Sequence, residues 1–149
     1  MKEFSKVLVT GGAGFIGSHL VNGLVNGGYK VVVLDNFRSG RLENIRRHLR
    51  SASANDFTLV EGDVRNGRAI RDAMDGVDAV VHLAALLGNE ESINDPVDTH
   101  DVNVTGTLNV LKEALRQNIE RFVFSSSAAI YGEGNQLPLN EDYASNPIS

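Results

Sequence analysis

The chain has 149 residues, 42% hydrophobic and 22% charged, a size and balance that fit one globular domain with its own core and exclude a disordered or fibrous protein. Its formal net charge of -5 argues against a surface built to neutralise nucleic-acid phosphates, so no nucleic-acid partner is expected. The absence of cysteine rules out a disulfide framework and a thiolate metal site.

Met1 to Lys6 leads directly into an apolar strand, with neither the apolar stretch nor the small-residue cleavage site of a secretory signal. No segment is long enough to span a bilayer, and a cytoplasmic location without a membrane partner is expected. Val7 to Thr10 predicts the first strand. Ile16, Leu20 and Leu24 then recur at helical spacing and stop at Gly27-Gly28. Val31 to Asp35 predicts strand two, Arg41 to Arg50 the next helix, Ser51 to Asn55 a loop, and Phe57 to Glu61 strand three. Asn66 to Met74 and Ala79 to Leu83 give the following helix and strand. A long helix is predicted from about Val97 to Gln117, then a fifth strand at Phe122 to Ser126.

Each strand is nearly continuous in apolar residues rather than alternating, the pattern of strands covered on both faces in a parallel sheet. Right-handed crossovers would wind them into one α/β domain over residues 1–149, a doubly wound Rossmann sheet truncated after its fifth strand. Gly132 to Ser149, rich in Gly, Asn and Pro, reads as a surface loop. The four histidines, His19, His48, His82 and His100, are scattered without ligand spacing, so they read as ordinary surface or core residues and no metal is expected.

Thr10-Gly11-Gly12-Ala13-Gly14-Phe15-Ile16-Gly17 falls where strand one turns into helix one. Glycines there permit a tight turn and close approach of backbone to a pyrophosphate, while the helix N-terminus offers N–H groups to the anion. Asp35 ends strand two, eighteen positions after Gly17, where a carboxylate can accept both adenosine ribose hydroxyls and repel a 2′-phosphate. NAD is therefore expected over NADP. Arg38, three residues on, could neutralise such a phosphate, although a solvated loop arginine is the commoner role of such a residue.

The spacing of Gly11, Gly14 and Gly17 resembles the extended short-chain dehydrogenase/reductase family, and the resemblance runs along the chain to its nucleotide-sugar epimerases, most like the UDP-glucose 4-epimerase branch. It implies that Gly11, Gly14, Phe15, Ile16 and Gly17 hold the pyrophosphate and that Asp35 and Asn36 hold the adenosine ribose. Asp63 and Val64 match the family pair beside adenine. Leu83, Ala84 and Ala85, after His82, match its nicotinamide-side loop. Asn103 falls at the helix-four asparagine, and an asparagine in a helix is otherwise often just solvated. Phe124 to Gly132 resembles the strand-five motif, which implies a cofactor contact at Ser125 and a catalytic Ser127 that hydrogen-bonds the sugar oxygen at the reacting carbon. A serine-rich strand end that caps itself is the other reading of that string. The Thr-Asp-Glu common in 4,6-dehydratases is absent, and Leu87 stands where some relatives carry a lysine.

Family chemistry requires a Tyr-x-x-x-Lys pair, whose spacing puts both side chains on one helical face. Four residues beyond Tyr29, Tyr131 and Tyr143 stand Val33, Asn135 and Pro147, so these 149 residues contain no such pair. Glu141 to Ser149 resembles the segment leading into it. The resemblance thus implies the NAD-binding part of an epimerase, without its substrate domain and inactive alone, whose partner in the intact enzyme is a nucleotide sugar. A dehydratase or reductase of the same family, and a non-catalytic dinucleotide-sensing module, are the alternatives. Val104, Leu108, Leu111 and Leu115 form one apolar stripe, and Thr107, Val110 and Ala114 extend it to a neighbouring face. One stripe covers the sheet; in the family the other meets a companion helix and a dimer partner, so self-association is expected.

Overall fold

The computed structural model describes residues 5–51, 56–133 and 137–148. The loop expected at 52–55, the start at 1–4, and residues 134–136 and 149 of the expected terminal loop lie outside the described residues. Five parallel strands, β1 (Lys6–Thr10), β2 (Lys30–Asp35), β3 (Phe57–Glu61), β4 (Ala79–His82) and β5 (Arg121–Phe124), form one sheet in the order β3-β2-β1-β4-β5. Val7 lies opposite Val31 on one side and Ala79 on the other; Thr10 lies opposite Leu34 and His82. The order reverses beside β1, which opens a crevice at the carboxyl ends of β1 and β4, the usual ligand position in such sheets.

Successive strand residues point to opposite faces, and each face has its own core. Leu8, Val32, Leu34 and Val80 pack with Ile70 and Met74 of α3 (Gly67–Met74) and with Val110 and Ala114 of α6 (Thr107–Arg116). Val7, Val9, Val31 and Val33 pack with Val21 of α1 (Phe15–Asn26) and Ile45 of α2 (Leu42–Ser51). Coverage on both sides is the physical reason these strands need no polar alternation. Asn66 starts α3 by accepting from the N–H groups of Arg68 and Ala69 at 3.0 and 3.3 Å.

The structure departs from the sequence reading in three places. The expected helix over 97–117 is broken into α5 (Pro96–His100), a π-helical turn at Asp101–Gly106, and α6. A short helix, α4 (Asn89–Asn94), precedes it and stops at Asp95-Pro96, where Asp95 caps α5 through the Asp98 N–H and Pro96 occupies its first turn. Finally, β4 ends at His82 and β5 at Phe124, so Leu83, Ser125 and Ser126 lie beyond the sheet. A 3-10 turn follows at Ala128–Tyr131, and no helix or strand occurs among the described residues after it, as the Gly132 to Ser149 composition suggests. The described residues contain no helix long and apolar enough to cross a membrane.

Candidate functional site

The glycine loop occupies the crevice between β1 and β4. Gly11 adopts φ +68°, and a Cβ there would lie 2.8 Å from the Ala84 backbone nitrogen. The left-handed backbone and this close approach both require glycine. A Cβ on Gly17 would lie 2.1 Å from the Gly11 carbonyl oxygen, so α1 can press against the turn only because no side chain intervenes. The Gly11 N–H donates to Leu34 at 2.8 Å and the Gly14 N–H to Gly11 at 3.1 Å, which fixes the loop to β2 and to itself. Gly14 precedes the first turn of α1, with Phe15 and Ile16 exposed beside it and Gly17 buried. The arrangement is an open anion cradle at a helix N-terminus.

Asp35 is buried beside the cradle, and one carboxylate oxygen accepts the Ala13 N–H at 2.9 Å while the other accepts the Phe37 N–H at 2.8 Å. Each oxygen keeps a second lone pair. Its backbone bonds thus shape the glycine loop and leave acceptor capacity for hydroxyl groups. Asn36 donates to Asp63 at 2.9 Å, which joins the loops after β2 and β3. Arg65 grips the same carboxylate through Nε at 2.9 Å and Nη2 at 2.7 Å and holds it well below the usual carboxylate range. The Val64 side chain, by contrast, is buried in the core under Gly106, and its carbonyl accepts from Asn109 of α6 at 3.3 Å.

At the far side, the Thr10 hydroxyl accepts the Leu83 and Ala84 N–H groups, each at 3.2 Å, and lies 2.7 Å from His82 Nδ1. His82 Nε2 lies 2.9 Å from the Thr107 hydroxyl, which donates to the Asn103 carbonyl at 2.7 Å. Asn103 itself, in the π-helical turn, accepts the Leu86 N–H at 2.7 Å and donates to the Leu86 carbonyl at 3.0 Å. The loop Leu83-Ala84-Ala85-Leu86 is therefore clamped from β1 at one end and from the π-helical turn at the other. Asn103 is a positioning residue for this loop, a role that a solvated helical asparagine would not have.

Ser125 continues from β5 with its N–H 3.4 Å from the His82 carbonyl, and its hydroxyl donates to the Ser126 carbonyl at 3.3 Å. Ser127 is exposed; its hydroxyl oxygen accepts the Ala129 N–H at 3.2 Å and caps the 3-10 turn. That bond leaves its proton available for donation. Leu87 is 84% exposed just beyond the clamped loop. Sequence reasoning did not assign Thr10, His82 or Thr107 to the site. Of the histidines, His48 and His82 are buried and His19 and His100 exposed.

A model of the NAD dependent epimerase/dehydratase family matches residues 7–149. Among curated proteins, a putative UDP-glucose 4-epimerase of Methanocaldococcus jannaschii is 39% identical over 144 residues, which cover 96% of this chain and 45% of that protein. A UDP-glucose 4-epimerase sequence of Klebsiella pneumoniae is 37% identical over 138 residues, which cover 91% of this chain and 99% of that sequence. The crystal structure of UDP-glucose 4-epimerase from Brucella ovis in complex with NAD superposes with a TM-score of 0.82 at 37% identity and covers 97% of this chain and 42% of the solved one. The chain thus spans less than half the length of the Methanocaldococcus and Brucella proteins.

Proposed function

The chain belongs to the NAD dependent epimerase/dehydratase family, and from that premise we propose that it is the NAD-binding portion of a nucleotide-sugar epimerase most like UDP-glucose 4-epimerase. The glycine cradle carries the reading: Cβ atoms at Gly11 and Gly17 would collide with backbone at 2.8 and 2.1 Å, beside a buried carboxylate with acceptor capacity to spare. These residues fit a dinucleotide. Gly11, Gly14, Phe15, Ile16 and Gly17 take the pyrophosphate on the α1 N-terminus, and Asp35 and Asn36 take the adenosine ribose. Asp63 and Val64 border adenine, while Leu83, Ala84, Ala85 and Ser125 border the nicotinamide, with Asn103 positioning their loop.

When bound, NAD supplies a reversible hydride acceptor, so that a sugar carbon is oxidised and then reduced on its other face with no net redox change. Ser127 donates its free proton to the oxygen on that carbon and orients it. Removal of the hydroxyl proton falls to the family's tyrosine, which these residues do not include. The exposed face of the π-helical turn and α6 belongs to the same proposal: Val104 of the turn and Leu108, Leu111 and Leu115 of α6 support self-association of the kind expected from the sequence.

Titration calorimetry with NAD and NADP tests the cofactor reading. NAD binds more tightly, and Asp35→Ala narrows the difference; equal affinity for the two in a folded sample overturns the ribose-hydroxyl argument. The chain alone does not turn over UDP-glucose, because a general base typically contributes about 10²- to 10⁴-fold. Epimerisation by the pure chain overturns that assignment.

A further inference from the structure

Arg38 lies three residues beyond Asp35, in a turn closed by the Phe37 N–H on Asp35 and by the Arg38 N–H on Asn36 at 3.1 Å. A guanidinium beside a ribose-binding carboxylate is the group a 2′-phosphate would recruit as its counter-ion. Here both terminal nitrogens are already committed. Nη2 pairs with Glu91 of α4 at 2.6 Å, and Nη1 pairs with Asp98 of α5. Asp98 offers its other oxygen to Arg65 Nη1 at 2.6 Å, and Arg65 is the residue that grips Asp63. This chain of charges ties the loops after β2 and β3 to the two short helices. It contains two guanidinium groups against the carboxylates of Asp63, Glu91 and Asp98, and Asp35 adds a further negative charge at its edge.

We propose that Glu91 and Asp98 are specificity-determining residues for the cofactor: by occupying Arg38 they withhold the counter-ion that a 2′-phosphate needs and keep the field at the ribose edge negative. This rests on the NAD-binding reading above. Asp35 repels the phosphate directly, whereas Glu91 and Asp98 act by sequestering Arg38, an arginine of the turn after β2 that could compensate. The same pairing raises the Arg38 pKa and lowers that of Asp98, each chiefly through the hydrogen bonds between them. With Glu91 and Asp98 neutralised, Arg38 and Arg65 would face only Asp63 and Asp35, and the balance would turn from net negative to neutral.

Adenosine 2′,5′-bisphosphate and AMP isolate the effect because they differ only in the 2′-phosphate, and calorimetry reads their binding without turnover. Glu91→Gln with Asp98→Asn raises the affinity ratio of the bisphosphate to AMP on the order of 5- to 10-fold at low salt, the gain shrinking as salt is added. Adding Arg38→Ala cancels it. A ratio unchanged in a folded double variant, or a gain that persists without Arg38, overturns the inference while wild-type NAD binding leaves the cofactor reading standing. Absence of NAD binding by the wild-type chain overturns both. Glu91→Gln alone, which leaves Asp98 bridging both arginines, gives a smaller gain and serves where the double variant does not fold.

Discussion

His82 is 1% exposed, yet both of its ring nitrogens are engaged. The Thr10 hydroxyl already accepts two N–H groups, so its proton goes to Nδ1; the Thr107 hydroxyl spends its proton on the Asn103 carbonyl, so it accepts from Nε2. Only the neutral ring protonated on Nε2 satisfies every partner, and burial pushes its pKa from 6.5 down to about 4. The unfolded chain takes up the proton near 6.5 while the folded chain resists it until about 4. The stabilisation is therefore complete above about 6.5 and lost as pH falls toward 4, up to about 3 kcal/mol. Melting temperatures measured from pH 7 to 5 should fall in the wild type, and His82→Gln should flatten that dependence; an identical slope in the variant would remove the histidine from the account. The glycine loop and Asp35 were legible in the sequence because their meaning lies within a strand, a turn and a helix of contiguous residues. The Thr10, His82 and Thr107 chain was not, since its members stand 72 and 25 residues apart and a lone histidine in an apolar strand looks like any core residue.

At the scale of elements, the strands and the first three helices could be read because apolar runs and glycine or asparagine boundaries mark them. The π-helical turn could not: Asp101 to Gly106 carries no proline and no local pattern that distinguishes it from an α-helix. Its glycine is nevertheless required. A Cβ on Gly106 would lie 2.5 Å from Val64 Cγ2 in the core. Alanine ordinarily favours a helix over glycine by about 1 kcal/mol, but overpacking typically costs about 1–3 kcal/mol. Gly106→Ala should thus lower stability in denaturant unfolding, and Val64→Ala in the same chain should recover part of the loss as a coupling in a double-mutant cycle. Strict additivity of the two changes would show that the contact is not felt. The two apolar stripes of α6 were both visible in the sequence, but which one faced the sheet was not. The core takes Val110 and Ala114 together with Val64, Val80 and Val102, with Gly106 of the preceding turn set against Val64, and the leucine side is left outward.

For the molecule as a whole, that outward side matters most. Val104, Leu108, Leu111 and Leu115 are 53%, 46%, 43% and 79% exposed, and in β5 Val123 and Phe124 are 57% and 61% exposed on an edge strand that pairs with β4 alone among the described residues. An exposed apolar helix face and an open strand edge are each a template for a second chain. Sedimentation at micromolar concentration should show association that Leu108→Glu with Leu111→Glu weakens; a concentration-independent monomer would mean that neither surface is used.

The strand order also sets a timetable for the growing polypeptide. β1 emerges first and β2 soon after, but Thr10 must wait for His82, 72 residues later, which at ordinary synthesis speeds is roughly 4–14 s. Throughout that interval the nascent β1 has at least one bare edge, and the glycine loop lacks the Ala84 wall against which Gly11 rests. The glycine loop is thus made well before β4, and the candidate site takes shape only when that half of the sheet arrives.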